Sequence, residues 1–299
     1  LYGNVKAVGE GTAVITLTIG NGETYTINST NVTVTVSKVP TEISIENDTL
    51  KLEVTDEVDT GTTLTPADAG NVTYTISNSS VVKVKGGKVI ALAEGEAAIT
   101  VSFVGDVKYA DAENKTITVN VNLKPASVSV NNDTLDLFVD DAFNLVATTE
   151  PKDLTVNFTS SNPSIVTVDN KGNVVAIGEG IANITVSVGG DGVYTENSTT
   201  VTVTVSKIPT EIIVQNATVD MKVDDIFDPV VSLMPSNAGN MSFRSSDIDV
   251  VLINGHGMIK AVGEGNATVT VAFPGNEKYT AVSRNITVSV SKIPTEITL

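Results

Sequence analysis

The sequence predicts an all-β protein built as tandem β-sandwiches, and three observations predict it. First, the 299 residues are rich in Val, Ile, Leu, Thr and Ser, with only 4% aromatics and no Trp. β-Branched residues punctuated by Gly, Asn and Asp favour strands over helices. Second, short apolar/polar alternations recur with a turn signal about every ten residues, the pattern of an all-β sandwich. Third, the whole pattern repeats at a period of 85 or 84 residues.

The repeat is legible at both ends. Residues 6–45 and 260–299 align without a gap, with 22 of 40 positions identical. Pro40, Pro125, Pro209 and Pro294 keep the period, as do Gly11, Gly95, Gly180 and Gly265. So do Tyr25, Tyr109, Tyr194 and Tyr279, and Gly3, Gly87, Gly172 and Gly257. The period is longer than a solenoid unit and fits a small domain the size of an immunoglobulin-like sandwich. The expected domains are 40–124, 125–208 and 209–293. Residues 1–39 are the C-terminal half of an earlier repeat and 294–299 the first strand of a further one, so the chain reads as a window on a longer protein. Residues 1–39 lack the strands that would cover their apolar face.

In the first complete repeat, strands are expected near 42–46, 50–54, 61–65, 72–77, 81–85, 88–92, 97–103 and 115–121. Asn47-Asp48, Asp56-Glu57, Ala69-Gly70, Asn78-Ser79, Gly86-Gly87 and Glu94-Gly95 mark the turns between them. Each sandwich therefore has seven to eight strands. In Asn31-Val-Thr-Val-Thr-Val36 the valines fall on one side and the polar residues on the other, as two packed antiparallel sheets require. Sustained helical periodicity is lacking. Between repeats, Val36-Ser-Lys-Val-Pro-Thr-Glu-Ile43 leaves about five residues around a proline, which restricts its own φ and the residue before it. Short proline joints, unlike Gly/Ser linkers, predict domains arranged end to end as a rod.

Charge narrows the partners. The formal net charge is −17, which opposes binding to nucleic acid or anionic lipid. Its plain reading is solubility. Cys is absent, so disulfides and thiol chemistry are excluded and each core must hold by packing alone. No apolar run is long enough to insert directly into a membrane, and no signal-peptide pattern opens the chain.

Ser160-Ser-Asn-Pro-Ser-Ile-Val-Thr-Val-Asp169, Gly172-Asn-Val-Val-Ala-Ile-Gly-Glu-Gly180 and Ala182-Asn-Ile-Thr-Val186 together resemble the bacterial immunoglobulin-like domain, group 2. Residues 245–271 resemble it too, with Ala261-Val-Gly-Glu-Gly265. The segment around Tyr109, Tyr194 and Tyr279 is more like a related bacterial Ig-like group. The resemblance implies tandem domains of bacterial or archaeal surface proteins, many of them spacers and a few carrying receptor contacts. Dense Asn-x-Ser/Thr without Cys is similar to the adhesin-like surface proteins of methanogenic archaea.

The strongest chemical signal is the N-glycosylation sequon, Asn-x-Ser/Thr without an intervening Pro. Asn28, Asn31, Asn47, Asn71, Asn78, Asn114, Asn132, Asn157, Asn183, Asn197, Asn216, Asn240, Asn266 and Asn285 satisfy it. They are 14 of 26 asparagines, where chance pairing predicts roughly 5 or 6. Strand alternation in a Thr-rich chain inflates that expectation, so two readings stand: glycan acceptors, or strand and turn chemistry. Asn31, Asn71, Asn157 and Asn183 fall on expected solvent faces, and Asn47, Asn132 and Asn216 share one repeat position.

Other candidates have plainer readings. The acidic pairs Asp56-Glu57, Asp140-Asp141 and Asp224-Asp225 recur in register, as do Asp106 and Asp191 with Asn276 in the third place. Structural calcium between domains is the minor alternative, since Ca²⁺ takes six to eight oxygens. Paired acids at a hairpin are ordinary turn residues, no Asp-x-Asp-x-Asp loop occurs, and no cofactor is expected. Glu10, Glu94, Glu179 and Glu264 recur in every repeat, which suits a fold position better than a catalytic acid. His256 is the single histidine, reads as a solvated hairpin residue and has no ligand partners. Lys38, Lys124, Lys207 and Lys292 recur in the joints, outside the strand positions that Lys–Asn isopeptide chemistry needs.

The sequence thus points to a non-catalytic, N-glycosylated stalk or spacer segment of an extracellular adhesin-like cell-surface protein or surface filament. Its expected partners are adjacent repeats of the same chain and cell-surface or host glycans or proteins. One alternative is an adhesive binding module contacting a host receptor or polysaccharide, although an aromatic platform is lacking. The other is a self-assembling filament or surface-layer subunit.

Overall fold

The computed structural model describes residues 3–297. The chain divides into two compact units, Leu1–Ala126 with Gly189–Glu196, and Ser127–Val188 with Asn197–Leu299.

The first unit opens with β1 (Gly11–Ile19) and β2 (Asn28–Val36), an antiparallel pair running from Gly11↔Val36 to Ile19↔Asn28. Leu17, Ile19 and Val32 stay exposed on this hairpin. Nine strands follow: β3 (Glu42–Ile45), β4 (Thr49–Glu53), β5 (Glu57–Asp59), β6 (Thr62–Thr65), β7 (Thr73–Ile76), β8 (Val82–Lys85), β9 (Lys88–Ala91), β10 (Gly95–Ser102) and β11 (Lys115–Asn122). They form a pair β3-β6, a four-stranded sheet β4-β11-β10-β7 and a three-stranded sheet β5-β9-β8. The pairing β4–β11 is parallel and the others are antiparallel.

The hydrophobic alternation drives this arrangement. Along β10, Ala97, Ile99 and Val101 are buried while Ala98, Thr100 and Ser102 keep partial exposure. The four-stranded sheet supplies Ile99, Val101, Ile117 and Val119 to the same core as Val82 and Val89 of the three-stranded sheet. Two sheets sharing one core make a β-sandwich.

One strand exceeds the sequence expectation. Asp56-Glu57 reads as a turn, but only Asp56 belongs to one; Glu57 opens β5 and pairs with Ile90. Three residues are too few for alternation to declare a strand, so the partner strand decides it.

The second unit repeats the plan twice. Its first set is β12 (Ser127–Val130), β13 (Thr134–Phe138), β14 (Ala142–Asn144), β15 (Ala147–Glu150), β16 (Asn157–Ser160), β17 (Val166–Val168), β18 (Asn173–Ala176), β19 (Gly180–Val188) and β20 (Asn197–Ser206). The second is β21 (Glu211–Val214), β22 (Thr218–Lys222), β23 (Ile226–Phe227), β24 (Val231–Met234), β25 (Ser242–Ser245), β26 (Val251–Ile253), β27 (Ile259–Ala261), β28 (Gly265–Phe273) and β29 (Val282–Ser291). Four-stranded sheets β13-β20-β19-β16 and β22-β29-β28-β25 accompany three-stranded sheets β14-β18-β17 and β23-β27-β26. Pairs β12-β15 and β21-β24 complete them. Residues 294–297 carry no strand, and the rest of the expected strand 294–299 lies outside the described residues.

The Gly95, Gly180 and Gly265 series has a backbone cause. Their φ values are 142°, 144° and 150°, a region that glycine tolerates and L side chains avoid. A Cβ there would lie 2.9, 2.6 and 2.9 Å from side-chain carbons of Val81, Ile165 and Val250.

Candidate functional site

The sequon asparagines lie at the surface. Thirteen of the 14 are exposed and Asn197 is half-buried. Asn197 Oδ1 accepts a hydrogen bond from the Val128 backbone N–H at 3.2 Å, so this side chain is already used in packing. Asn31 and Asn285 share one repeat position, and their Oδ1 atoms accept from Thr16 and Thr270 Oγ1 at 2.9 and 3.0 Å. Asn78 Oδ1 accepts from the Ser80 hydroxyl of its own sequon at 2.6 Å. Asn162, barred from being a sequon by Pro163, makes the same contact with Ser164 at 2.7 Å. At that position local turn chemistry alone accounts for the motif.

The recurring acids are acceptors for backbone amides. Asp56, Asp141 and Asp225 each accept from the N–H three residues earlier, at Glu53, Phe138 and Lys222, at 2.9, 2.9 and 2.7 Å. The pairs are therefore out of register by one residue, contrary to the sequence expectation. Asp56 aligns with the second acid of the other two pairs, and Thr55, Asp140 and Asp224 are the equivalent positive-φ turn residues at 78°, 74° and 73°. Among the described residues no three acidic or histidine side chains cluster as a metal site would require.

The Asp106, Asp191 and Asn276 series has one role throughout. Asp106 Oδ1 accepts from Lys108 and Tyr109 N–H at 2.7 and 2.8 Å. Asp191 Oδ1 accepts from Val193 and Tyr194, and Asn276 Oδ1 from Lys278 and Tyr279. One carbonyl-type oxygen suffices, which is why an asparagine serves in the third place. The two backbone amides hold the Asp106 and Asp191 carboxyls below the usual carboxylate range.

These turns present the tyrosines, a series that reads from the sequence as structural. Tyr109, Tyr194 and Tyr279 form parallel bridges with Val39, Lys124 and Ile208, the residue before each joint proline. Val39 N–H donates to Lys108 O, and Ala110 N–H donates back to Val39 O, each at 2.8 Å. Lys124 makes the same two bonds with Val193 O and Thr195 N–H, and Ile208 with Lys278 O and Thr280 N–H. The joint residue is thus stitched into the repeat that follows it. Tyr109 and Tyr279 are buried, their hydroxyls donating to Asp68 Oδ2 and Asn237 Oδ1 at 2.6 and 3.2 Å. The Tyr109 hydroxyl, helped by Lys108, lowers the Asp68 pKa. The 41- and 42-residue spacings of these pairs were the available sequence signal.

The joint lysines separate into two kinds. Lys207 and Lys292 pair with Glu179 and Glu264 at 3.6 and 3.0 Å, which gives those two members of the glutamate series a surface ion-pair role. Lys124 stands one position off the series, in the place of Val39 and Ile208, and its Nζ donates to Thr55 Oγ1 at 2.8 Å. Lys278 pairs with Asp140, a contact the repeat pattern does not announce because Val193 and Thr55 occupy the equivalent places. His256 is exposed in its turn between β26 and β27.

A three-sheet sandwich met three times, each preceded by a stitched proline joint, defines a tandem immunoglobulin-like repeat protein. Residues 119–196 match the family model of the bacterial Ig-like domain (group 2). Residues 67–117 match the hyaluronate lyase N-terminal beta-sheet domain. No curated protein sequence matches the chain. Among solved structures, Drosophila N-cadherin EC1-4 is 13% identical over 97% of this chain and 85% of that one, with a TM-score of 0.29. Domains 1-6 of the surface layer protein SbsC are 17% identical over 96% of this chain and 45% of that one, with a TM-score of 0.30. The titin I-band fragment I67-I69 is 9% identical over 86% of this chain and all of that one, with a TM-score of 0.38. The chain spans less than half of the SbsC structure. At these identities and scores the likeness carries no functional weight.

Proposed function

We propose that the chain is a stalk segment of an extracellular surface protein or filament, a non-catalytic spacer of repeats bounded at Pro40, Pro125 and Pro209 and bearing N-glycans. The observation that carries the reading is the joint. Val39, Lys124 and Ile208 spend both backbone hydrogen-bonding groups on the tyrosine loop of the following repeat. The residue before each proline is thereby held to the repeat that follows it, two or three residues after the last strand of the repeat before. Thr210 reinforces the last joint, its Oγ1 donating to Thr280 O at 2.7 Å and its N–H to Thr280 Oγ1 at 3.0 Å. Exposed Thr and Asn on the outer faces keep such a spacer hydrated and soluble.

Single-molecule pulling tests the reading. A spacer of independent repeats gives a sawtooth whose steps each release about 280–300 Å of contour, from roughly 85 residues at 3.3–3.6 Å each. Removal of residues 125–208 from the full-length protein should shorten it and leave adhesion intact. Loss of adhesion at unchanged expression would instead identify that repeat as a binding module, and polymerisation of the purified protein would identify a filament subunit.

A further inference from the structure

The sequons are unevenly placed on the sandwich. Asn31, Asn157, Asn183, Asn266 and Asn285 lie on β2, β16, β19, β28 and β29, all exposed. On the opposite face, Ala182 and Ile184 beside Asn183, Ala267 beside Asn266 and Ile286 beside Asn285 are buried. Side chains two residues apart share a face, so the acceptor and its Thr face outward together from a four-stranded sheet, or from the matching β1-β2 pair.

Two further groups follow the same register. Asn71 and Asn240 stand two residues before β7 and β25, and Asn114 one residue before β11. Asn47, Asn132 and Asn216 precede Thr49, Thr134 and Thr218, the first residues of β4, β13 and β22, which edge the same four-stranded sheets. The three-stranded sheets carry Asn144 and Asn173, but Val146 and Val175 stand where the sequon hydroxyl is needed.

We infer that N-glycans coat one side of each sandwich, the outer face of the four-stranded sheet, and leave the three-stranded sheet as bare protein. The inference rests on the glycosylation reading above. It gives the two sides different surface chemistry. On the coated side Ile181 is 66% exposed on β19, two residues and about 7 Å from Asn183 on the same face. A glycan at Asn183 covers it. On the bare side of the third repeat, Ile226, Lys260 and Leu252 form one cross-strand row. Ile226 is 64% and Leu252 46% exposed, and no acceptor on their own sheet can shield them.

The test uses protein purified from the cells that make it. Glycopeptides are mapped by mass spectrometry, and hydroxyl-radical footprints are compared before and after glycan removal. The expected result is glycan at Asn183, a severalfold rise in Ile181 oxidation on removal, and unchanged oxidation of Ile226 and Leu252. A rise at Ile226 and Leu252 equal to that at Ile181 overturns the one-sided coat while glycosylation stands. So does occupancy confined to Asn28, Asn78 and Asn197. A native mass equal to the bare polypeptide overturns the glycosylation reading itself, and the coat with it.

Discussion

Gly180 and Asp191 show how single residues carry the repeat. At Gly180 the backbone demands a positive φ and the Ile165 side chain fills the space of a Cβ. Gly180→Ala should therefore cost roughly 1–3 kcal/mol through backbone strain and overpacking, read as a lower urea midpoint. An unchanged midpoint would show that the turn relaxes freely. Asp191 and Asp106 accept two backbone amides each, and their folded pKa values lie below the ordinary value of about 3.9. A depressed carboxyl contributes its stabilisation fully above the unfolded value and loses it as pH falls through the folded one. The tyrosine loops of the first two complete repeats should thus loosen below about pH 4, while the Asn276 loop keeps its bonds. Tyr109, Tyr194 and Tyr279 amide chemical shifts followed across that range would reveal the difference. Asp191→Asn should make the second loop behave like the third.

Strands divide sharply into a packed face and a wet one. On β19, Ile184 is fully buried and Thr185 exposed beside it. Ile184→Ala should destabilise by about 2–5 kcal/mol, the range for deleting buried methyls and leaving a cavity. Thr185→Ala, compared in unglycosylated recombinant protein because Thr185 completes the Asn183 sequon, should stay within about 0.5 kcal/mol. Denaturant unfolding of the two variants separates them, and equal effects would contradict the sandwich register. The strand faces were legible because a period of two is local. β5 and β23 were not, having three and two residues. Pairing with β9 and β27 makes them strands, and no local pattern names a partner some thirty residues away.

Across the whole molecule, the acidic balance finds its use in turns and surface pairs. Asp56, Asp106, Asp141, Asp191 and Asp225 each hold backbone amides. Chelation of divalent cations should therefore leave the melting temperature unchanged in calorimetry. A drop on adding EDTA that calcium restores would establish a structural ion. The solvent-accessible Lys207–Glu179 and Lys292–Glu264 pairs, with Lys207 half-buried, are screened by salt, so neither sets the stability of a repeat. The buried Val, Ile and Leu of each sandwich do that.

The sequence by itself determined the fold class, the period, the face of each long strand and the set of Asn-x-Ser/Thr sequons. Periodicity, turn residues and the three-residue sequon are all local properties of the chain. Tertiary structure decided what local pattern cannot carry. It showed that Lys124 stands in the place of Val39 and Ile208, and that Asp56 aligns with the second acid of the later pairs. It also tied the proline joints to the tyrosine loops through hydrogen bonds about 70 residues apart in the chain, and placed most of the sequons on or beside the four-stranded sheets. Hydrogen-bond partners and shared faces are set when distant strands meet. A chain read one residue at a time shows which groups need partners, and only the folded sandwich shows where they find them.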